Sequence, residues 1–245
     1  MSARTLLVRG MLVGIAGGLL AYLFATAFGE PPVDSAIAFE AAHTPPGDHD
    51  HELVSRTIQS TIGLATAVVV YGAALGGIFA LAFAVAYGRL GRLPARATAL
   101  LVAAAGFVAV ELVPFLKYPA NPPAVGAEET IGRRTALYFT MIGITVAAAI
   151  GATLLGRNLT ARLGAWNAVL VAVGVFVALV AVAAALLPAV NEVPADFPAT
   201  VLWHFRLASL GTQLVLWATL GLLFGALTDR SQRRRARTPE PVAVA

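Results

Sequence analysis

The chain has no cysteine among its 245 residues. That excludes a disulfide scaffold, a thiolate zinc site and an iron–sulfur cluster. Charge is scarce too: 12% of the residues are charged, against about 25% in soluble domains. Seventeen basic and 13 acidic side chains are too few to cover a soluble domain of this size. An ordinary cytosolic enzyme is therefore excluded. No G-x-S-x-G, Walker A or H-E-x-x-H motif occurs, and no glycine fingerprint for a dinucleotide follows a strand. The chain reads as a non-enzyme without a resident cofactor, and without a nucleotide site it cannot energise transport alone. What is plentiful is apolar surface. Hydrophobic residues make up 58% of the chain and the mean hydropathy is +0.80. This excludes disorder for most of the chain and leaves a polytopic membrane protein.

A helical span needs about 20 apolar residues. Six segments qualify, at about 5–28, 60–87, 97–116, 135–156, 165–188 and 202–227. They are too long and too uniformly apolar for barrel strands. The expected fold is all-α: one polytopic membrane helix bundle over residues 1–230, followed by a basic, disordered tail over 231–245. The first segment also has features of a secretory signal, with Arg4 and Arg9 at its start and Ala25-Thr26-Ala27 near its end. Its apolar stretch is too long for a signal core, however, and Gly10, Gly14 and Gly18 lie on one helical face. A retained span is expected; cleavage leaves five.

Orientation follows from lysine and arginine in the short loops. With the N-terminus inside, 12 of the 17 basic residues fall inside: Arg4, Arg9, Arg89, Arg92, Arg96, Arg157, Arg162 and the five arginines of 230–237. Arg56, Lys117, Arg133, Arg134 and Arg206 fall outside. Both termini are thus expected in the cytoplasm, with the chain in the inner membrane. The block at 230–237 suits a stop-transfer anchor and an anionic-lipid contact rather than nucleic acid. Glycine pairs recur as packing candidates: Gly72 with Gly76, Gly143 with Gly151, and Gly221 with Gly225.

Polar chemistry gathers on the outer side. The first outer loop contains His43, Asp48, His49, His51 and Glu52. Imidazole and carboxylate suit borderline divalent cations such as Co²⁺, Ni²⁺ and Zn²⁺, and these five residues are the candidate metal ligands. A solvated spacer with incidental histidines explains the same composition. Arg56 and Gln59 share a helix face, and Arg206, Ser209 and Gln213 form a stripe with His204 beside its start. Glu111 lies within the third apolar run, about 7 Å below its outer end at 1.5 Å per residue. A carboxylate there costs about 2.5–3.5 kcal/mol to insert, so it should face the interior and find a partner among Arg56, Arg206 and Lys117. Pro114, just after it, frees a carbonyl one turn back.

Four segments carry a family resemblance: EPPVDSAIAFE, ELVSRTIQSTIGL, PFLKYPANPPAVGAEETIGRRTALY and DFPATVLWHFRLASLGTQLVLW. They resemble the CbtA family of cobalt transporter subunits. The resemblance runs from the first span to about Gly225. It implies a cobalt permease component linked to cobalamin supply, with Co²⁺ as cargo. It also implies a small partner, CbtB-like, with one span and a histidine-rich end. By resemblance, Arg56, Gln59, Lys117, Tyr118, Asn121, Arg133, Arg134, Arg206 and Gln213 are candidate path or gate residues, beside Glu111 and His204 from the span analysis. Two alternatives remain at this stage: a non-transporting membrane scaffold, and a permease for another substrate such as a cobalamin precursor. Arginines at the outer mouth favour an anion or a salt-bridged gate over a bare cation path.

Overall fold

A computed structural model describes residues 2–43 and 54–237. Among the described residues all regular structure is helical. Five helices are long and apolar enough to cross a membrane: α1 (Ala3–His43), α2 (Arg56–Ala86), α3 (Ala95–Lys117), α4 (Ile131–Leu186) and α5 (Ala199–Arg234). The chain groups into two compact units.

The first unit comprises Met1–Leu23, Val54–Ala104 and Leu214–Ala245. Lipid tails supply no hydrophobic drive between helices, so close backbone approach must hold them together. Here Gly10, Gly14 and Gly18 of α1 face Gly76, Gly72 and Val68 of α2. A β-carbon on Gly14 would fall on the Gly72 carbonyl oxygen, and one on Gly72 would fall on the Gly14 oxygen. The same reciprocity links Gly10 and Gly76. Gly221 and Gly225 of α5 sit over Ala103 and Ala99 of α3. Phe79 and Phe83 each meet Phe224 edge to face, with centroids 5.3 and 5.0 Å apart. One end of the unit is ionic. Asp229, only 6% exposed, takes Arg96 at 3.2 Å and Arg233 at 3.1 Å. Arg9 donates to Thr228 and Ser231, and the Tyr87 hydroxyl donates to Gln232. The last helix continues to Arg237. Residues 231–237 are therefore helical where a disordered tail was expected, and residues 238–245 lie outside the described residues.

The second unit comprises Phe24–Leu53 and Ala105–Gln213. Three findings here differ from expectation. First, residues 30–43 form a helix and not a loop. Pro31 and Pro32 lack N–H groups and should interrupt the chain. A π-helical turn at Ala25–Gly29 immediately precedes them, widening the backbone where their rings need room. Second, α4 is one assigned helix of 56 residues across the expected fourth and fifth spans. It is not straight. Gly164 has φ 74° and ψ 162°, a conformation open essentially to glycine alone. A β-carbon on Gly156 would lie 3.0 Å from that of Ala172. Along a straight helix those residues would be about 24 Å apart, so the chain folds back at Gly164. Third, Gly143 and Gly151 have open space where a β-carbon would stand. Their spacing put them on one face, but no neighbouring backbone of this chain approaches that face, so they pack against none of the described residues.

The carbonyl freed by Pro114 is identifiable. Residues 107–112 form a π-helical turn in which Val113 donates to Val108, five residues back. In that register the missing Pro114 N–H would have served Ala109. The hydroxyl of Thr145, fully buried on α4, donates to the Ala109 oxygen instead. Thr145→Val keeps the shape and removes the donor. It should cost about 0.6–1.7 kcal/mol, the span of interhelical hydrogen bonds in membranes. Thr153→Val removes a hydroxyl that bonds only to Ala149, one turn back on an exposed face, and should cost little. Thermal denaturation in detergent reads both; equal shifts for the two variants would remove the interhelical role of Thr145.

Candidate functional site

Three segments of the second unit meet around a cavity of about 370 Å³: the 117–126 loop after α3, the start of α4, and the 188–198 loop before α5. Proline stiffens both loops, at Pro119, Pro122 and Pro123 in one and at Pro188 and Pro194 in the other. Side-chain bonds tie them down. The buried Tyr118 donates its hydroxyl to the Pro188 carbonyl at 2.8 Å. Burial pushes the Tyr118 phenol above its ordinary pKa, with the charge of Arg133 acting the other way. Arg206, near the start of α5, donates Nε to the Ala120 carbonyl at 3.3 Å and Nη2 to Asn121 Oδ1 at 3.0 Å.

Glu192 is the anchor of the opposite wall. Its carboxylate accepts from the Thr130 hydroxyl at 2.8 Å and the Ala127 N–H at 3.0 Å, and lies 3.5 Å from Arg134 Nε. The Thr130 and Ala127 bonds hold its pKa below the ordinary carboxylate value, with the arginines adding to the effect. Arg134 also reaches back to the Ala127 carbonyl. Its guanidinium lies directly over Gly126, whose φ of 112° only glycine takes readily. The cavity walls therefore carry two guanidinium groups and one carboxylate, and that carboxylate is already engaged with Arg134.

Around the first helix, residues 30–43 cover the other side of the same loops. Ala36 and Phe39 pack on Val125 and Phe197, with Phe39 and Phe197 ring centroids 5.0 Å apart. His43 stacks on Phe39, bonds to the Phe39 carbonyl through Nδ1, and faces Asp196 across 3.2 Å through Nε2.

The residues expected from sequence divide accordingly. Tyr118, Asn121, Arg134 and Arg206 line the cavity. Lys117 stands 5.7 Å over the Tyr118 ring, and Arg133 is exposed. Glu111 is buried on α3, within electrostatic reach of the Tyr138 hydroxyl. His204 is exposed, and the Gln213 side-chain oxygen is buried without a hydrogen-bond partner. Arg56 and Gln59 belong to the first unit, where Gln59 donates to the Val54 carbonyl. Asp48, His49, His51 and Glu52 lie outside the described residues. Among the described residues no three His, Asp or Glu side chains come together as a metal site. Glu192, Tyr138 and Asp196 were not singled out from sequence. The acidic, proline-rich run NEVPADFP was the available signal for two of them.

No curated protein and no solved structure matches the chain. Residues 3–229 match the CbtA family, described as a probable cobalt transporter subunit. With five apolar helices of spanning length and a family match over nearly its whole length, the chain belongs to the CbtA family as a multi-pass membrane protein.

Proposed function

We propose that this protein is the integral-membrane subunit of a divalent metal uptake system, importing cobalt for cobalamin synthesis. The observation that carries the reading is the family match over residues 3–229. The membrane architecture supports it. The fold-back at Gly164 supports reading α4 as two apolar legs, and with the other four helices we read six crossings. The arginine distribution supports reading both termini as cytoplasmic and the membrane as the inner one. In this topology the cavity opens outward, and Glu111 lies beneath it on the route inward. A subunit without a nucleotide site needs partners, and a small single-span histidine-containing protein of the CbtB kind is the one proposed.

Cobalt accumulation in cells lacking the gene tests the reading. Restoring this chain together with the small subunit should restore uptake of scarce cobalt, while either alone should give little. Unchanged cobalt uptake after deletion would leave the scaffold alternative in its place.

A further inference from the structure

The cavity has the wrong charge for a bare dication. Its walls carry Arg134 and Arg206 against the single carboxylate of Glu192. Glu192 already accepts two hydrogen bonds and lies 3.5 Å from Arg134, so its charge is engaged on that side of the cavity. Arg206 spends Nε and Nη2 on the 117–126 loop. Those two bonds fix the plane of the guanidinium and leave the Nη1 end of the fork for another acceptor. A fixed guanidinium fork matches a carboxylate or phosphate in shape and charge. Asn121 gives its oxygen to Arg206, which leaves its amide NH₂ as a donor end. Tyr138 adds a hydroxyl to the lining. The volume of about 370 Å³ suits a small organic molecule rather than a single ion.

We propose that this cavity binds a small polycarboxylate anion, and that cobalt is presented to the protein as an anionic carboxylate chelate instead of the bare ion. The metal part of this inference rests on the uptake reading above; the anion part does not. Arg206 is the principal contact, with Asn121 and Tyr138 as supporting donors.

Citrate is the probe, used on the full chain in nanodiscs by titration calorimetry. Citrate and cobalt–citrate should both bind, and cobalt chloride alone should leave the cavity empty. Arg206→Gln should weaken citrate at least tenfold. Because Arg206 also holds the loop, Tyr138→Phe serves as a second variant: it removes a donor, spares both loop bonds, and should weaken citrate several-fold with thermal stability kept. Raising salt from 50 to 500 mM should weaken binding in the wild type more than in Arg206→Gln. Absence of citrate binding, or binding indifferent to both substitutions, overturns the proposal. So does Arg206-dependent binding of cobalt chloride alone. Binding kept in phosphatidylcholine nanodiscs but lost in phosphatidylglycerol ones at the same 500 mM salt, where surface repulsion is screened, assigns the cavity to an anionic lipid headgroup and also overturns it. Citrate binding in a protein whose deletion leaves cobalt uptake intact would uphold the anion site and sink only the uptake reading.

Discussion

Gly14→Leu should prevent the first unit from assembling. The β-carbon alone would fall on the Gly72 carbonyl oxygen, and the Cα of Gly76 would lie 3.1 Å away. These are backbone atoms on a helix, and they cannot turn aside as the tip of a side chain can. The two helices would have to separate, and the contact is shared along the stripe from Gly10 to Gly18. Val13, Phe79 and Ala80, all 2% exposed or less, would lose their packing with it. Overpacking in a close-fitted core costs about 1–3 kcal/mol and sometimes more. A leucine against rigid backbone belongs at or beyond the top of that range, a large part of the roughly 5–15 kcal/mol that holds a native protein together. Gly143→Leu and Gly151→Leu are matched controls, since a β-carbon meets nothing within 4 Å at either position. Size-exclusion profiles and melting in mild detergent should show Gly14→Leu aggregated or absent and the two controls close to wild type. Equal behaviour of all three would mean that the α1–α2 glycine contact does not hold the unit together.

That contrast also marks how far the sequence could be read. Apolar length is a local property, and the helices of spanning length followed from it. Small residues four apart give a face, and at Gly10, Gly14, Gly72 and Gly76 the face is packed. The same kind of spacing at Gly143 and Gly151 is bare, because spacing says which residues share a side and not what stands opposite. The helix over 30–43 was hidden by Pro31 and Pro32. A proline pair reads as a break, and the wide turn that accommodates it leaves no signature in hydropathy. Glu192 was missed for a different reason. Its partners Thr130 and Ala127 are 62 and 65 residues away, and no periodicity links positions so distant. Asn121 and Tyr118 were found through the family motif alone and Arg206 also through its helical stripe; their convergence on one cavity is a fact of the fold. Pro114 shows the middle case. Sequence said that a carbonyl was freed, and only the π-helical register and Thr145 say which one and what satisfies it.

Glu111→Gln should reach the membrane in near-normal amounts and lose most cobalt uptake. Glu111 is 6% exposed and sits on the widened turn 107–112, below the cavity lining contributed by Phe115 and Tyr118. An ionisable group at that depth is costly, and such groups usually mark an ion or proton path. Glutamine has the same size and keeps an acceptor oxygen, so local packing and hydrogen bonding are largely preserved. What it removes is the negative charge, the one property that cobalt released from its chelate at the cavity and passing on as the cation needs there. If that charge lowers the barrier for the metal by about 1.4 kcal/mol or more, uptake falls at least tenfold at equal abundance. The structural alternative predicts a different pattern. Breaking a buried ion pair costs about 3–5 kcal/mol, so abundance would fall and uptake per molecule would not. The substitution therefore has to be read by two measurements on the same cells, membrane abundance by immunoblot and cobalt uptake. Tyr138→Phe, which touches the same region without removing a charge, should leave the uptake of a saturating supply near wild type. Loss of uptake in proportion to loss of protein would make Glu111 a structural residue, and normal values for both would give it neither role.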